Sequence, residues 1–438
     1  MFSARRSALI DRMDGGVAIF FSSRESIRNN DVHHDFRQDS DLYYLSGFEE
    51  SDSVLVISAQ REKGQQVSLF LRPKDPEREI WDGIRLGVEQ APEQLGVDQA
   101  FCIDELEARL PQLMQGARHL YYTLGVEGRA DDDVTVLESL AKVRRTSRKG
   151  KVSPTDVIDI GHVLHEMRLK KTDEEIEVMR RAAALTAEGH IHAMAITRPG
   201  LKEYQVGVAM EYQWLVRGAG RNAYPSIVGS GPNACILHYR AGERMLGEGE
   251  LLLVDAGCEV DYYASDVTRT WPISGSFTTE QKAVYEIVLK AQKASIDVCR
   301  AGEPMESIHQ TATRVLVEGL IELGLLTGSV DDVLEDESYK RFYMHNTSHW
   351  IGMDVHDVGA YYHDGRSRPL EPGMVLTVEP GVYISPSDTT VPEGYRGIGI
   401  RIEDDILITE GEPENLTAAI PKEVHEIEAL VGSRSLDL

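Results

Sequence analysis

The chain has 438 residues, of which 42 % are hydrophobic and 27 % are charged, and its formal net charge is −26. A single hydrophobic core seldom serves a chain of this length, so we expect two domains. The negative charge argues against a surface that binds nucleic acid or anionic membranes, because such surfaces need clusters of Lys and Arg.

The four cysteines, Cys102, Cys235, Cys258 and Cys299, are far apart in the sequence and form no CxxC pair. They predict neither a disulfide framework nor a thiolate zinc site, and reduced thiols in the cytoplasm are the simplest account. The N-terminal residues contain no apolar run that is typical of a signal peptide, and no stretch approaches the roughly 20 apolar residues of a membrane span. We therefore expect a cytoplasmic protein without a membrane segment.

Residues 1–165 are predicted to form a mixed α/β domain. Runs rich in β-branched and aromatic residues have the length of strands at 16–23, 53–58 and 66–72. Helical patterns lie between and after them, and the basic, polar segment 144–156 is typical of a surface loop. No cluster of candidate catalytic side chains stands out in this domain.

Residues 166–438 show the same order of elements twice. Thr172 and Glu175 form a capping box that begins a helix, and a second helix and two strands follow. Thr278 and Gln281 form another capping box, and again two helical patterns precede strands. This order predicts an α+β domain with a pseudo-twofold repeat, in which a site between the halves would draw ligands from both.

The first candidate ligands lie in a predicted hairpin, LLLVDAGCEVDYYASDVTRTW. A turn centred on Val260 and Asp261 would place Asp255 and Asp266 opposite each other, with Cβ atoms roughly 5 Å apart. Two like charges at that distance destabilise a hairpin unless a cation lies between them. For the hairpin alone two interpretations are open, a metal site or a different register in which each Asp caps a turn.

Glu379 and Glu403 occupy matching places in the second half. Glu379 ends the apolar strand MVLTVEP, and Glu403 shares a strand face with Arg401 in GIRIEDDILI. A carboxylate at the core end of a buried strand needs a partner or a metal. Glu403 alone could pair with Arg401, but four acids at matching places in two halves favour a metal site.

Three histidines, His345, His349 and His356, lie close together in MHNTSHWIGMDVHDVG. The HxxxH spacing resembles a helical zinc pair but lacks the glutamate of HExxH, and the surrounding residues favour strand or loop. A lone histidine is more often structural than a ligand, whereas three in one short stretch favour a ligand among them. His238 stands alone in NACILHYR, after a glycine-rich turn without the GK[ST] of a phosphate loop.

Together these residues predict a ligand set of two Asp, two Glu and one His, with a charge of −4 that two divalent cations and a bridging hydroxide would bring to −1. Oxygen-rich ligand sets suit hard cations such as Mn²⁺, and imidazole also allows Co²⁺ or Zn²⁺. Two metals roughly 3.5–4 Å apart can activate a water molecule and stabilise a tetrahedral intermediate. The predicted chemistry is hydrolysis.

Four motifs in order, DAGCEVDYYASDVTRTWP, HWIGMDVHDVG, LTVEPGVY and GIRIEDDILIT, resemble the pita-bread metallopeptidases. That family includes methionine aminopeptidase, prolidase and aminopeptidase P, and the resemblance is close to the aminopeptidase P branch over nearly the whole chain. It implies a creatinase-like α/β domain at 1–165 and an α+β pita-bread catalytic domain at 166–438.

The resemblance implies five metal ligands, which are Asp255, Asp266, His349, Glu379 and Glu403. They would bind two divalent ions, usually Mn(II) in this branch. It also implies four side chains that contact substrate, which are His238, His345, Tyr383 and Arg401. Glu379 is expected to take or relay a proton, and His356 to donate a hydrogen bond to the developing oxyanion.

The implied activity is metal-dependent hydrolysis of the N-terminal Xaa-Pro bond, with peptides that have proline second as substrates. Prolidase, which cuts only dipeptides, is the alternative, and the motif residues do not separate the two. A creatinase-like enzyme or a binding protein that has lost catalysis would lack part of the ligand set. The resemblance further suggests a homodimer or homotetramer, with Trp81 as a candidate contact.

Overall fold

Two units make up the chain in the computed structural model, Met1–Met167 and Arg168–Leu438. The structure describes residues 1–146 and 150–435, so residues 147–149 of the predicted surface loop lie outside the described residues. Among the described residues, none of the helices combines the length and the hydropathy that a membrane crossing requires.

The first unit is built on a mixed sheet. The helices from residue 1 to residue 169 are α1 (Phe2–Ile10), α2 (Ser40–Ser46), α3 (Pro76–Asp82), α4 (Ala91–Leu95), α5 (Leu106–Met114), α6 (Ala130–Arg144) and α7 (Gly161–Leu169). The strands are β1 (Val17–Phe21), β2 (Ile27–Asn29), β3 (Val32–His33), β4 (Val54–Ser58), β5 (Val67–Leu71), β6 (Gln99–Cys102), β7 (His119–Tyr121) and β8 (Asp156–Ile158).

The three predicted strand runs form β1, β4 and β5 at the centre of this sheet, whose order is β6-β5-β4-β1-β7-β8. All three are buried along their whole length, which explains why they are continuous apolar runs rather than alternating ones. Leu110 of α5 and Leu140 of α6 belong to the apolar core against this sheet. The predicted α/β architecture of the N-terminal part is confirmed.

The second unit carries the remaining elements. Its helices are α8 (Asp173–Ile196), α9 (Glu203–Leu215), α10 (Thr279–Asp297), α11 (Glu306–Glu322), α12 (Val330–Glu335) and α13 (Val424–Leu430). Its strands are β9 (Arg221–Asn222), β10 (Ile227–Ser230), β11 (Leu251–Asp255), β12 (Cys258–Val260), β13 (Tyr263–Ala264), β14 (Thr268–Pro272), β15 (Tyr362–His363), β16 (Arg366–Ser367), β17 (Val375–Val378), β18 (Gly381–Tyr383), β19 (Gly399–Arg401), β20 (Asp404–Leu407) and β21 (Glu414–Asn415).

Two capping boxes begin corresponding helices in the two halves of this unit. The Thr172 hydroxyl accepts the N–H of Glu175 at 3.4 Å, and the Glu175 carboxylate accepts the N–H of Thr172 at 2.9 Å. Thr278 and Gln281 make the same pair of bonds at 3.2 and 3.0 Å. Helices α8 and α10 therefore begin where the sequence predicts.

The predicted repetition of helix, helix and strands is also confirmed, and the strands of each half form a hairpin. Helices α8 and α9 precede the hairpin of β11 and β14, and α10 and α11 precede the hairpin of β17 and β20. The histidine-rich stretch 345–356 runs as a loop beside β17, joined to it by a bridge between Trp350 and Leu376. Both hairpins and this loop contribute to the site described next.

Candidate active site

The first hairpin turns one residue later than the sequence predicts. Val260 pairs with Tyr263, so Asp261 and Tyr262 form the turn, and both have positive φ, at 47° and 72°. Two central residues with positive φ are typical of a type I′ turn, whose twist matches that of the flanking strands. The predicted turn centre was therefore wrong.

The later turn changes the partner of Asp255. It pairs with Thr268, so its predicted pairing with Asp266 is wrong. The same register sets Asp266 against Gly257, and the two Asp side chains become diagonal neighbours on one face. A Cβ atom on Gly257 would lie 1.7 Å from the carbonyl oxygen of Ser265, so this close approach of the strands requires glycine.

Tyr224, which the sequence did not single out, joins the two aspartates. Its hydroxyl lies 2.6 Å from Asp255 Oδ1 and also within hydrogen-bond distance of Asp266 Oδ1. Burial, together with the surrounding carboxylates, raises the pKa of Tyr224 well above its ordinary value. The tyrosine therefore stays protonated and can donate to the acids. Nothing in the local sequence around Tyr224 signals this role.

The second hairpin sets its two acids directly against each other. Val378 pairs with Asp404, and the next position in the same register is Glu379 opposite Glu403. Opposed side chains in an antiparallel pair have Cβ atoms roughly 4.5–5.5 Å apart. Two carboxylates at such positions repel each other unless a cation lies between them.

The ion pair of Arg401 is with Asp255 and not with Glu403. The guanidinium donates to Asp255 Oδ2 at 2.5 Å, to the Tyr383 hydroxyl at 2.8 Å and to the Thr268 hydroxyl at 3.0 Å. The Thr268 hydroxyl in turn donates to Glu403 Oε2 at 2.6 Å. Arg401 and Thr268 therefore link acids of the two hairpins.

His349 lies between the two hairpins. Its ligand atom and those of Asp266 and Glu403 are all within 4.8 Å of one another. Its Nε2 lies 3.5 Å from Asp266 Oδ2 and 3.7 Å from Glu379 Oε1, while its Nδ1 lies 3.1 Å from the carbonyl oxygen of Trp350. When Nδ1 carries the proton, it donates a hydrogen bond to this carbonyl oxygen, and the Nε2 lone pair of the neutral imidazole is free to bind a metal.

The positively charged side chains near the four candidate acids do not fully balance the negative charge of the carboxylates. Burial raises the pKa of Glu379 to about 7, and it raises the pKa values of Asp255 and Glu403 as well. Burial also acts to raise the pKa of Asp266, but the hydrogen bond and charge of His349, together with Tyr224 and Arg401, outweigh burial and lower the pKa. Burial acts to lower the pKa of His349, but the hydrogen bond and charge of Asp266, with the charge of Glu379, raise it to about 9. Such a cluster is the environment in which proteins bind cations.

A cavity of about 890 Å³ opens onto these groups. The predicted site residues on its wall are Asp255, Asp266, His349, Glu379, Glu403, His238, His345, His356 and Arg401. Tyr383 lies behind this wall, only 3 % exposed, and reaches the site through Arg401 and His345. The structure therefore brings all the predicted residues to one place, with Tyr383 one contact further back.

His345 and His356 each contact a member of the predicted ligand set. His345 Nδ1 lies 3.6 Å from Glu379 Oε2, and its Nε2 lies 2.9 Å from the Tyr383 hydroxyl. The rings of His356 and His349 pack edge to face with centroids 4.4 Å apart. Burial lowers the pKa of His345 to about 3 and also lowers that of His356. Both imidazoles are therefore neutral near pH 7.

Sequence reasoning missed two further polar side chains. His309 of α11 lines the cavity and lies 2.9 Å from the Thr347 hydroxyl. Asp405 accepts the N–H of Asp266 at 3.1 Å and the hydroxyl of Ser265 at 2.9 Å. Asp405 lies two residues beyond Glu403 in the predicted strand GIRIEDDILI, and this spacing predicts both on one strand face and could have signalled Asp405. The helical pattern around His309 gave no such signal.

Comparisons with known proteins agree with this geometry. Residues 177–410 match the family model of metallopeptidase family M24, and residues 2–122 match that of the aminopeptidase P N-terminal domain. The chain is 46 % identical to the Xaa-Pro aminopeptidase of Escherichia coli (strain K12), over 98 % of this chain and 97 % of that protein. The predicted fold, an α/β domain followed by a pita-bread domain, is confirmed by these matches.

Two solved structures extend the comparison. Aminopeptidase PepP of Pseudomonas aeruginosa has a TM-score of 0.95 and 46 % identity, covering 98 % of this chain and 97 % of that one. A zinc-substituted Escherichia coli aminopeptidase P in complex with product has a TM-score of 0.94 and 46 % identity, covering 99 % and 98 %. Both structures match this chain over both of its units.

Proposed function

The chain belongs to metallopeptidase family M24, and we propose that it hydrolyses the N-terminal Xaa-Pro bond of peptides and releases the first residue. The observation that carries this function is the convergence of four carboxylates and one imidazole on a single cavity, in a chain 46 % identical to an Xaa-Pro aminopeptidase. Peptides with proline at the second position are the substrates.

The donor set fits divalent metal ions. The proposed ligands are Asp255, Asp266, His349, Glu379 and Glu403. Two observations support this assignment: the ligand atoms of Asp266, His349 and Glu403 lie within 4.8 Å of one another, and burial with the neighbouring carboxylates raises the pKa of Glu403, so the charged form lacks a compensating cation. Oxygen ligands with one imidazole suit hard divalent ions, and we assign two Mn(II) ions to the site. When bound, divalent ions polarise the scissile carbonyl and make water a better nucleophile at neutral pH.

Glu379 is the proposed proton carrier. Its carboxylate lines the cavity and lies 3.6 Å from His345 and 3.7 Å from His349, and a general base must lie within reach of the proton that it takes. His356 is assigned the hydrogen bond to the developing oxyanion, because it lines the cavity beside His349 and a neutral imidazole can donate one N–H. Both assignments place the reacting carbonyl between Glu379 and His356.

Recognition of proline is assigned to the cavity wall. His238 and His345 both line the cavity, and we propose that they form the walls of the proline pocket. Proline has no amide hydrogen and a fixed ring, so the fit of the pocket rather than a hydrogen bond sets the preference. Arg401, held by Tyr383, is proposed to contact the polar groups of the peptide.

Several features accompany this proposal. We assign 1–165 to the creatinase-like domain and 166–438 to the catalytic domain, and we place the protein in the cytoplasm. We further propose a homodimer or homotetramer without nucleic-acid partners. Support for self-association comes from Ile80, Trp81 and Ile84, which are 80 %, 84 % and 86 % exposed. Exposed apolar groups of this size often belong to contact surfaces.

An Xaa-Pro dipeptidase, a prolidase, is the alternative. The test is hydrolysis of Gly-Pro and of a longer Xaa-Pro peptide by chelated protein, before and after addition of Mn²⁺. Metal-dependent cleavage of the longer peptide is the expected result. Cleavage of the dipeptide alone would assign prolidase activity, and cleavage of neither would refute both. A Glu379→Gln preparation controls for contaminating peptidases.

A further inference from the structure

A buried glutamate away from the acids holds one part of the cavity wall. Glu203 is the first residue of α9 and is fully buried, at 0 % exposure. Its Oε1 accepts hydrogen bonds from the N–H and hydroxyl of Ser230 at 2.8 and 2.7 Å, and from the amide of Asn233 at 3.0 Å. Its Oε2 accepts from the Tyr239 hydroxyl at 2.8 Å and from the Gly242 N–H at 3.2 Å.

All these donors belong to one segment, 230–242, which we call the wall segment. Leu237 and His238 in this segment line the cavity, and Tyr239 directly follows His238. In the described structure, every hydrogen bond of the Glu203 side chain goes to the wall segment and none goes to the hairpins that carry the acids. Glu203 therefore acts on the cavity through the wall segment alone.

Among the described residues, strand pairing holds the wall segment only at its ends, and in its middle Cys235 Sγ donates to the carbonyl oxygen of Ile384 at 3.4 Å. Ser230 is the last residue of β10 and pairs with Leu252, and beyond the other end Lys202 and Met245 form an isolated bridge. Between these points the segment runs as a 3₁₀ turn followed by loop. A buried carboxylate is costly unless donors satisfy it, so the segment cannot move without leaving the Glu203 charge unpaired.

We propose that Glu203 is a positioning residue for proline recognition, which fixes the wall segment so that His238 faces the bound ring. This inference rests on the proposed function, because that function assigns His238 to the proline pocket. Loosening the segment weakens the binding of the proline ring and leaves the proton carrier and the acids in place. A loss of uniform binding raises KM and leaves kcat unchanged.

Two variants weaken the hydrogen bonds between Glu203 and the wall segment, one more strongly than the other. Glu203→Gln keeps one acceptor oxygen for Ser230 and Asn233 but replaces the other with an NH₂ group, which cannot accept from Tyr239 and Gly242. Tyr239→Phe removes a single donor and keeps the ring. We expect KM for an Ala-Pro-Ala peptide with Mn²⁺ to rise about tenfold in the first and about threefold in the second, since hydrogen bonds to charged groups are the stronger ones.

The matched control is Glu211→Gln, the same chemical change on the same helix. Glu211 accepts a hydrogen bond from the Ser226 hydroxyl at 2.6 Å, and Ser226 lies outside the wall segment. The KM of the Glu211→Gln variant should therefore equal that of the wild type. Bound metal and melting temperature are measured for every variant. The positioning role requires unchanged bound metal and unchanged kcat in both Glu203→Gln and Tyr239→Phe.

The outcomes separate this inference from the proposed function. If the wild type and Glu211→Gln cleave the peptide and Glu203→Gln shows an unchanged KM, the positioning role is overturned and the function stands. A fall in kcat or in bound metal overturns the positioning role as well, whatever happens to KM. If Glu203→Gln does not fold, Tyr239→Phe decides by the same criterion. No cleavage by the wild type refutes the proposed function itself.

Discussion

Glu379 offers a test in which stability and activity change in opposite directions. Its carboxylate is largely buried at the cavity and lies 3.6 Å from His345 Nδ1 and 3.7 Å from His349 Nε2. Glu379→Gln keeps the shape of the side chain and removes the charge. In the metal-loaded enzyme this change should lower kcat by about 10²- to 10⁴-fold, the usual contribution of a general base.

The metal-free protein should respond in the opposite sense. Burial raises the pKa of Glu379 from 4.5 to about 7, so the folded state binds a proton that the unfolded state releases. The stability contributed by this proton is present below pH 4.5 and is lost as the pH rises to 7. A pKa difference of this size corresponds to about 3 kcal/mol in the free energy of unfolding. Above pH 7, the Glu379→Gln protein should therefore be about 3 kcal/mol more stable than the wild type, because glutamine carries no charge to bury.

Tryptophan fluorescence during urea unfolding of the chelated protein measures this effect. Trp214, Trp271 and Trp350 are fully buried in the second unit, so their emission follows the unfolding of that unit. We expect Glu379→Gln to be about 3 kcal/mol more stable than the wild type at pH 8 and less than about 1 kcal/mol more stable at pH 5. Glu322→Gln, at the exposed end of α11, should match the wild type at both values.

Two results would refute this reasoning. The first is a metal-free Glu379→Gln protein that is less stable than the wild type at pH 8. The second is a difference that stays the same between pH 5 and pH 8, because a charge that costs nothing to bury has no such pH dependence. Addition of Mn²⁺ should stabilise the wild type more than the variant, because a ligand that binds only the folded state adds to its stability.

Three further predictions follow from the same contacts. Arg269→Met should lower the free energy of unfolding, measured in urea, by about 3 kcal/mol, because Arg269 is fully buried and pairs with Asp404 at 2.6 Å. A decrease of less than about 1 kcal/mol would contradict this prediction. Gly257→Ala should lower the free energy of unfolding by about 1–3 kcal/mol, since the added Cβ would lie 1.7 Å from a backbone oxygen. Gly220→Ala, whose Cβ would have its nearest contact at 3.7 Å, should leave that free energy unchanged. His356→Ala should lower kcat by about 10²-fold with the metal content unchanged, and metal loss would instead assign His356 to the ligand set.

The sequence by itself determined the features that depend on neighbours in the chain. The capping boxes at Thr172 and Thr278 specify where α8 and α10 begin, because each box needs groups only one helical turn apart. Apolar runs of strand length specify buried strands in the same way. The motifs around Asp255, His349 and Glu403 identified the candidate ligands, and the structure gathers them at one cavity.

Only the tertiary structure decided the features that depend on distant neighbours. The first hairpin turns at Asp261 and Tyr262, which both have positive φ, and that register brings the strands close together at Gly257 and makes the acids diagonal neighbours. Tyr224 reaches both aspartates, and Glu203 reaches the wall segment, without any local pattern that marks either residue. A buried polar group is satisfied by whichever donors the fold brings within about 3 Å, and sequence periodicity does not encode that choice.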